Sequence, residues 1–125
     1  LLRIRVRRTS AIQGLEKNMT MVTFMGIDCV VDKRVYPRNK KQAALQLYAA
    51  DTAGNHKLGI SQGEPVLTAS VCLPGYPFNK GETAIKDYSE NEGILDVLVQ
   101  AKIVEITGKT VNSGFCTLPV VKIVN

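Results

Sequence analysis

With 125 residues, 45% of them hydrophobic and 22% charged, the chain has the length and composition of one globular domain able to bury a single core. No apolar run approaches the ~18 residues that a membrane span requires. The formal net charge of +5 is unevenly placed: residues 1–18 hold Arg3, Arg5, Arg7, Arg8 and Lys17 against Glu16, leaving 11 cations and 10 acids for residues 19–125.

The start of the chain, LLRIRVRR, lacks the apolar core and small-residue cleavage site of a secretory signal. Its character changes at Met19, and back-translation of Gly14–Met19 permits a purine-rich ribosome-binding stretch before an ATG. Residues 1–18 are therefore expected to be a non-native leader with the native start at Met19 or Met21. The alternative is an extra N-terminal strand, because Leu2, Ile4 and Val6 alternate with Arg3, Arg5 and Arg7. Residues 19–125 read as a single globular domain.

From Met19 onward, period-two alternation broken by turn residues marks antiparallel strands with one wet face. Met21–Met25 and Ile27–Tyr36 flank Gly26 as a hairpin, with Ile27, Cys29, Val31 and Val35 on one face. Pro37-Arg38-Asn39-Lys40 is a turn by composition. Ala43–Ala50 follows with Ala43, Leu45, Leu47 and Ala49 together, and Pro65–Leu73 with Leu67, Ala69, Val71 and Leu73. Residues 51–64 between them form a polar loop that has room for a short strand at Lys57–Ile60. Pro74 and Pro77 break the sheet, and Glu82–Asp87 is a short strand.

The one helix predicted lies near residues 90–102, where Ile94, Leu95, Val97, Leu98 and Ala101 make an apolar stripe. A strand at Ile103–Ile106, a turn at Thr107-Gly108-Lys109 and a strand-rich tail to Val124 close the chain. Pro119 in that tail calls for an edge strand or a bulge. The fold class expected is α+β: a mainly antiparallel, curved sheet of five to seven strands with that helix on it. Ile94, Leu95, Val97 and Leu98 should pack against Leu45, Leu47, Leu67 and Val71.

The most site-like stretch is KDYSENEG, residues 86–93. As a calcium loop it offers Asp87, Ser89 and Asn91, but Glu92 stands where the glycine belongs and Leu98 where the bidentate glutamate belongs. As a helix start it fits, since Ser89 and Glu92 have the spacing of a capping box. A recognition surface of Asp87, Tyr88 and Glu90 is the other reading. TGKT at Thr107–Thr110 fails as a phosphate loop, because Ile103 replaces the earlier glycine and no helix follows. The single histidine, His56, has no nucleophile at informative spacing. Three scattered cysteines, Cys29, Cys72 and Cys116, without a C-x-x-C, fit neither a disulfide framework nor a zinc knuckle. They read as reduced core residues of a cytoplasmic protein. No catalytic residue, cofactor or metal site is expected.

The basic run Lys33, Arg34, Arg38, Lys40 and Lys41 around Tyr36 is the strongest sign of a charged partner. Lysines and arginines there could hold phosphates while Tyr36 stacks on a base. A solvated strand end explains the same residues without any ligand.

KDYSENEG, the short helix, TGKTV and SGFCTLPVVKIV together resemble a family of small bacterial and phage proteins to which no activity is assigned. The resemblance spans residues 82–124, and FMGIDC, AALQLYAAD and PVLTASVCLPG are similar to it in character. It implies a compact intracellular domain carried by mobile elements and supplies no catalytic residues. The arginine-rich start has no counterpart in it. The expected function is accordingly that of a non-enzymatic accessory protein binding an unidentified protein partner. A nucleic-acid-binding module using residues 33–41 is the alternative, and no membrane association is expected.

Overall fold

The computed structural model describes residues 20–124; the leader or extra strand expected over residues 1–18 lies outside them. Seven strands follow in order: β1 (Met21–Phe24), β2 (Ile27–Tyr36), β3 (Asn39–Ala49), β4 (Pro65–Thr68), β5 (Glu82–Ala84), β6 (Val104–Ser113) and β7 (Cys116–Ile123). They form one open sheet in the order β1-β2-β3-β5-β7-β6, with β4 beside the second half of β3. Every pairing is antiparallel except the short parallel contact of β3 with β5. The class is α+β, dominated by strands.

Local chemistry accounts for much of this. Met25 and Gly26 both have positive φ, 54° and 79°, the conformation that a two-residue hairpin turn demands if its strands are to keep their twist. In β3, the alternation seen in sequence becomes burial of Ala43, Leu45, Leu47 and Ala49. One apolar cluster joins Leu45, Leu47, Cys29, Val31 and Val121 to the helical residues Ile94 and Leu98. A smaller one gathers Phe78, Ala84, Leu118 and Val120. Val120 and Val121 are successive strand residues and point to opposite faces, so β7 is covered on both sides.

Several expectations are corrected. Among the described residues there are two α-helices: α1 (Ala53–Lys57) and α2 (Ile94–Gln100), with a 3-10 turn at Ser89–Asn91 before the second. Helix α1 occupies the polar loop and replaces the strand expected at Lys57–Ile60. The Thr52 hydroxyl accepts from Asn55 N, starting the helix, and the buried Asn55 side chain bonds Asp28 N, Asp28 O and Ala50 O. The strand expected over Pro65–Leu73 ends at Thr68, and that over Glu82–Asp87 ends at Ala84.

Gly108 is not a hairpin turn. Strand β6 runs through it with a register shift between Ile106 and Thr110, and the chain reverses at Gly114-Phe115. At the shift, Thr107 Oγ1 donates to Val120 O and accepts from Lys109 N. Pro119 pairs with Thr110 where that bulge ends, which accommodates a missing donor in a strand flanked on both sides. Val35 is 57% exposed although its alternation with Val31 places it on the core face, because it lies at the sheet's end beside a bulge at Tyr36. Helix α2 packs on β1 and β6, burying Ile94 and Leu98 fully and Leu95 and Val97 in part. Val71 packs instead in the smaller cluster.

Candidate functional site

Strands β2 and β3 meet at Pro37-Arg38, so that end of the sheet carries the basic run. Gly81 N donates to Lys41 O at 3.0 Å, and Ile123 N donates to Gly81 O at 2.9 Å. These two bonds set the start of β3, the start of β5 and the end of β7 side by side. Lys80, forty residues away in sequence, is thereby placed beside Lys40 and Lys41. An open groove of about 230 Å3 results, lined by Lys33, Arg34, Lys40, Lys41 and Lys80 over an apolar floor of Val35, Ala43 and Ile123.

Of the two acids closest in sequence to this groove, one pairs with a cation of the groove and the other with a lysine outside it. Asp32 is buried and its Oδ2 accepts from Arg34 Nε at 2.6 Å. Glu82 is buried and takes Lys109 Nζ at 2.8 Å and Asn79 N at 2.9 Å. Burial pushes the Glu82 carboxyl up, but Lys109 and Asn79 together outweigh it and hold the group below the usual glutamate range.

The structure brings together most of the basic residues singled out in the sequence and separates two of them. Lys33, Arg34, Lys40 and Lys41 line the groove, whereas Arg38 stands exposed at the turn and Tyr36 is half-buried. The Tyr36 hydroxyl lies 2.6 Å from Ser70 Oγ, which in turn accepts from Leu45 N. Burial pushes the phenol up. Tyr36 thus joins β2 to the core-side segment at Ser70 and does not line the groove. Nothing local in the sequence marks Lys80. Only the pairing of β3 with β5 makes it a neighbour of residues 33–41.

KDYSENEG has a different organisation from the one expected. Ser89 adopts φ 56°, and neither it nor Gly93 at the start of α2 makes a side-chain cap. The capping box of Ser89 and Glu92 is not formed. Asp87 does that work: its Oδ1 accepts from Gly93 N and Leu95 N, both at 3.0 Å. A carboxylate facing the first turn satisfies otherwise unpaired amides and complements the helix dipole. Glu90 is exposed and bonds Lys86 Nζ at 2.7 Å. Lys86 also lies 5.5 Å from the Tyr88 ring centroid, and the Tyr88 hydroxyl is held above its usual range by its bond with Cys116. Asn91 is buried and donates to Thr68 O.

His56 lies on α1 with Nε2 at 3.0 Å from Asp51. The three cysteines are free, and Cys29 is buried with its thiol pushed up to about 11 by burial and by Asp28. Such a thiol is protonated at neutral pH and a poor nucleophile. Among the described residues, no group of His, Cys, Asp and Glu is arranged to hold a metal ion, and no helix is long and apolar enough to cross a membrane. No protein-family model matches the chain, and no curated protein or solved structure does.

Proposed function

We propose that the protein is a non-enzymatic binding protein whose ligand is nucleic acid, held in the groove between the β2–β3 turn and Lys80. One observation carries this reading. Of the 11 cations in residues 19–125, Lys33, Arg34, Arg38, Lys40, Lys41 and Lys80 gather at one end of the sheet, five of them around a single groove. A nearly neutral body thus carries a polarised charge. Lysines clustered over a concave surface attract phosphates and gain affinity by releasing their condensed counterions.

The test uses the full chain and a fluorescent oligonucleotide. Lys40→Glu with Lys80→Glu should weaken binding roughly tenfold or more. Lys57→Glu with Lys102→Glu, an equal change of net charge at exposed positions elsewhere, should weaken it far less. Equal loss from both pairs, or no binding by the unaltered chain, would remove the groove from consideration.

A protein partner, which the sequence alone favours, draws support from one other feature: Phe115 is wholly exposed at the β6–β7 turn. A Phe115→Ser variant that kept its affinity for nucleic acid but lost a defined co-purifying protein would favour that second reading.

A further inference from the structure

We infer that the groove takes single-stranded rather than double-stranded nucleic acid, with an unpaired base lying on the apolar floor between the lysines. This rests on the reading of the groove as a nucleic-acid site and narrows it. Two features of the groove point to an unpaired strand, and both are geometric.

The first is the floor. Val35 and Ala43 are cross-strand partners, and with Ile123 they line the same groove as Lys33, Lys41 and Lys80. Val35 is 57% exposed, so an apolar side chain faces water in a groove otherwise lined by cations. A site that reads phosphates alone has no use for such a floor, since phosphate oxygens seek N–H donors and ammonium groups. A base with its face uncovered gains by leaving water for an apolar surface. Within a duplex, both faces of each base are already stacked.

The second is concavity. Reading or gripping a duplex through its grooves requires a projecting helix or two-stranded ribbon that enters them. Here the cations line a depression instead. A depression lined by lysines matches the positively charged channel that tracks a single strand. Because Tyr36 is tied to Ser70 and does not line the groove, the base contact is aliphatic. Binding should therefore be tolerant of sequence and dominated by the phosphate contacts.

The experiment compares three probes on the full chain: a thymidine oligonucleotide, a duplex of the same length, and inorganic polyphosphate of matched charge. The single strand should bind roughly tenfold tighter than the duplex, and Val35→Ser should weaken the single strand severalfold while leaving polyphosphate unchanged. Val35→Ile, which keeps the floor apolar, should retain single-strand affinity, and circular dichroism of both variants guards against misfolding. Duplex bound as tightly as the single strand would overturn the inference. So would an equal effect of Val35→Ser on all three probes. Either result leaves the groove as a nucleic-acid site, provided that Lys40→Glu with Lys80→Glu still weakens binding more than the control pair does. Failure of the unaltered chain to bind any probe would sink both.

Discussion

Two polar segments compete for attention in this chain, and they differ in where their side chains point. In KDYSENEG, Asp87 accepts two backbone amides of α2, Glu90 holds Lys86, and Asn91 donates to Thr68 O. In the β2–β3 end, Lys40 and Lys41 are exposed and line one groove with Lys80, while of the neighbouring acids Asp32 pairs with Arg34 and Glu82 with Lys109 outside the groove. A dense polar motif whose side chains mostly bond backbone and neighbours within the chain orients structure. One whose charges converge outward is available for a ligand. Residue types alone do not separate the two cases.

The largest effect that sharpens this contrast concerns the helix that KDYSENEG seats. Leu98 is fully buried with Ile94, Leu45 and Leu47, so Leu98→Ala should lower stability by about 2–5 kcal/mol in denaturant unfolding. A loss under about 0.5 kcal/mol, as at surface positions, would mean that α2 does not pack on the sheet by this face.

Glu82 comes next, because it adjoins Lys80 yet is bonded inward. Glu82→Gln should cost about 1.5–3 kcal/mol, the range for hydrogen bonds to a charged group, and leave affinity in the groove unchanged. The pH dependence has a definite sign. The carboxyl is held below its usual value in the folded state, so its contribution is complete above the ordinary glutamate range and is lost as pH falls through that range to the lower folded value. The variant should show a flatter acid limb in stability measured against pH. An unchanged limb would show that Lys109 does not act on Glu82 as its geometry implies.

Asp87→Ala should cost about 1–2 kcal/mol through loss of the cap, whereas Ser89→Ala should change stability by less than about 0.5 kcal/mol. Thermal melts of the two variants separate the cap seen here from the capping box that the sequence suggests. If Ser89→Ala proved the costlier, the arrangement around Asp87 would be wrong.

The sequence disclosed features that depend on near neighbours. The Met25-Gly26 turn, the buried face of β3 and the apolar stripe of α2 all follow from the residues within or beside each element. It failed where the deciding contact is distant or where two local solutions are close in energy. The spacing of Ser89 and Glu92 satisfies the capping pattern, yet Ser89 turns left-handed and Asp87, from farther back, takes the amides of Gly93 and Leu95 instead. Gly108, with φ 86°, fits a hairpin turn or a bulge equally well. The choice is made by where β7 pairs. Helix α1 depends on Asn55 finding Asp28 and Ala50, and Lys80 joins the groove only because β5 lies parallel to β3. The basic residues were legible as a cluster, but the groove was not, since its floor comes from β2, β3 and β7 together.

The most direct test of the central claim is the salt dependence of oligonucleotide affinity for the unaltered chain and for Lys80→Gln. For a single strand, each phosphate neutralised contributes about −0.7 to the slope of log affinity against log salt. With five cations lining the groove, the unaltered chain should show a slope of about −2 or steeper, and Lys80→Gln should be shallower by about 0.7. A slope near zero, or one that Lys80→Gln leaves unchanged, would contradict the assignment of the β2–β3 end and Lys80 as one phosphate-binding groove.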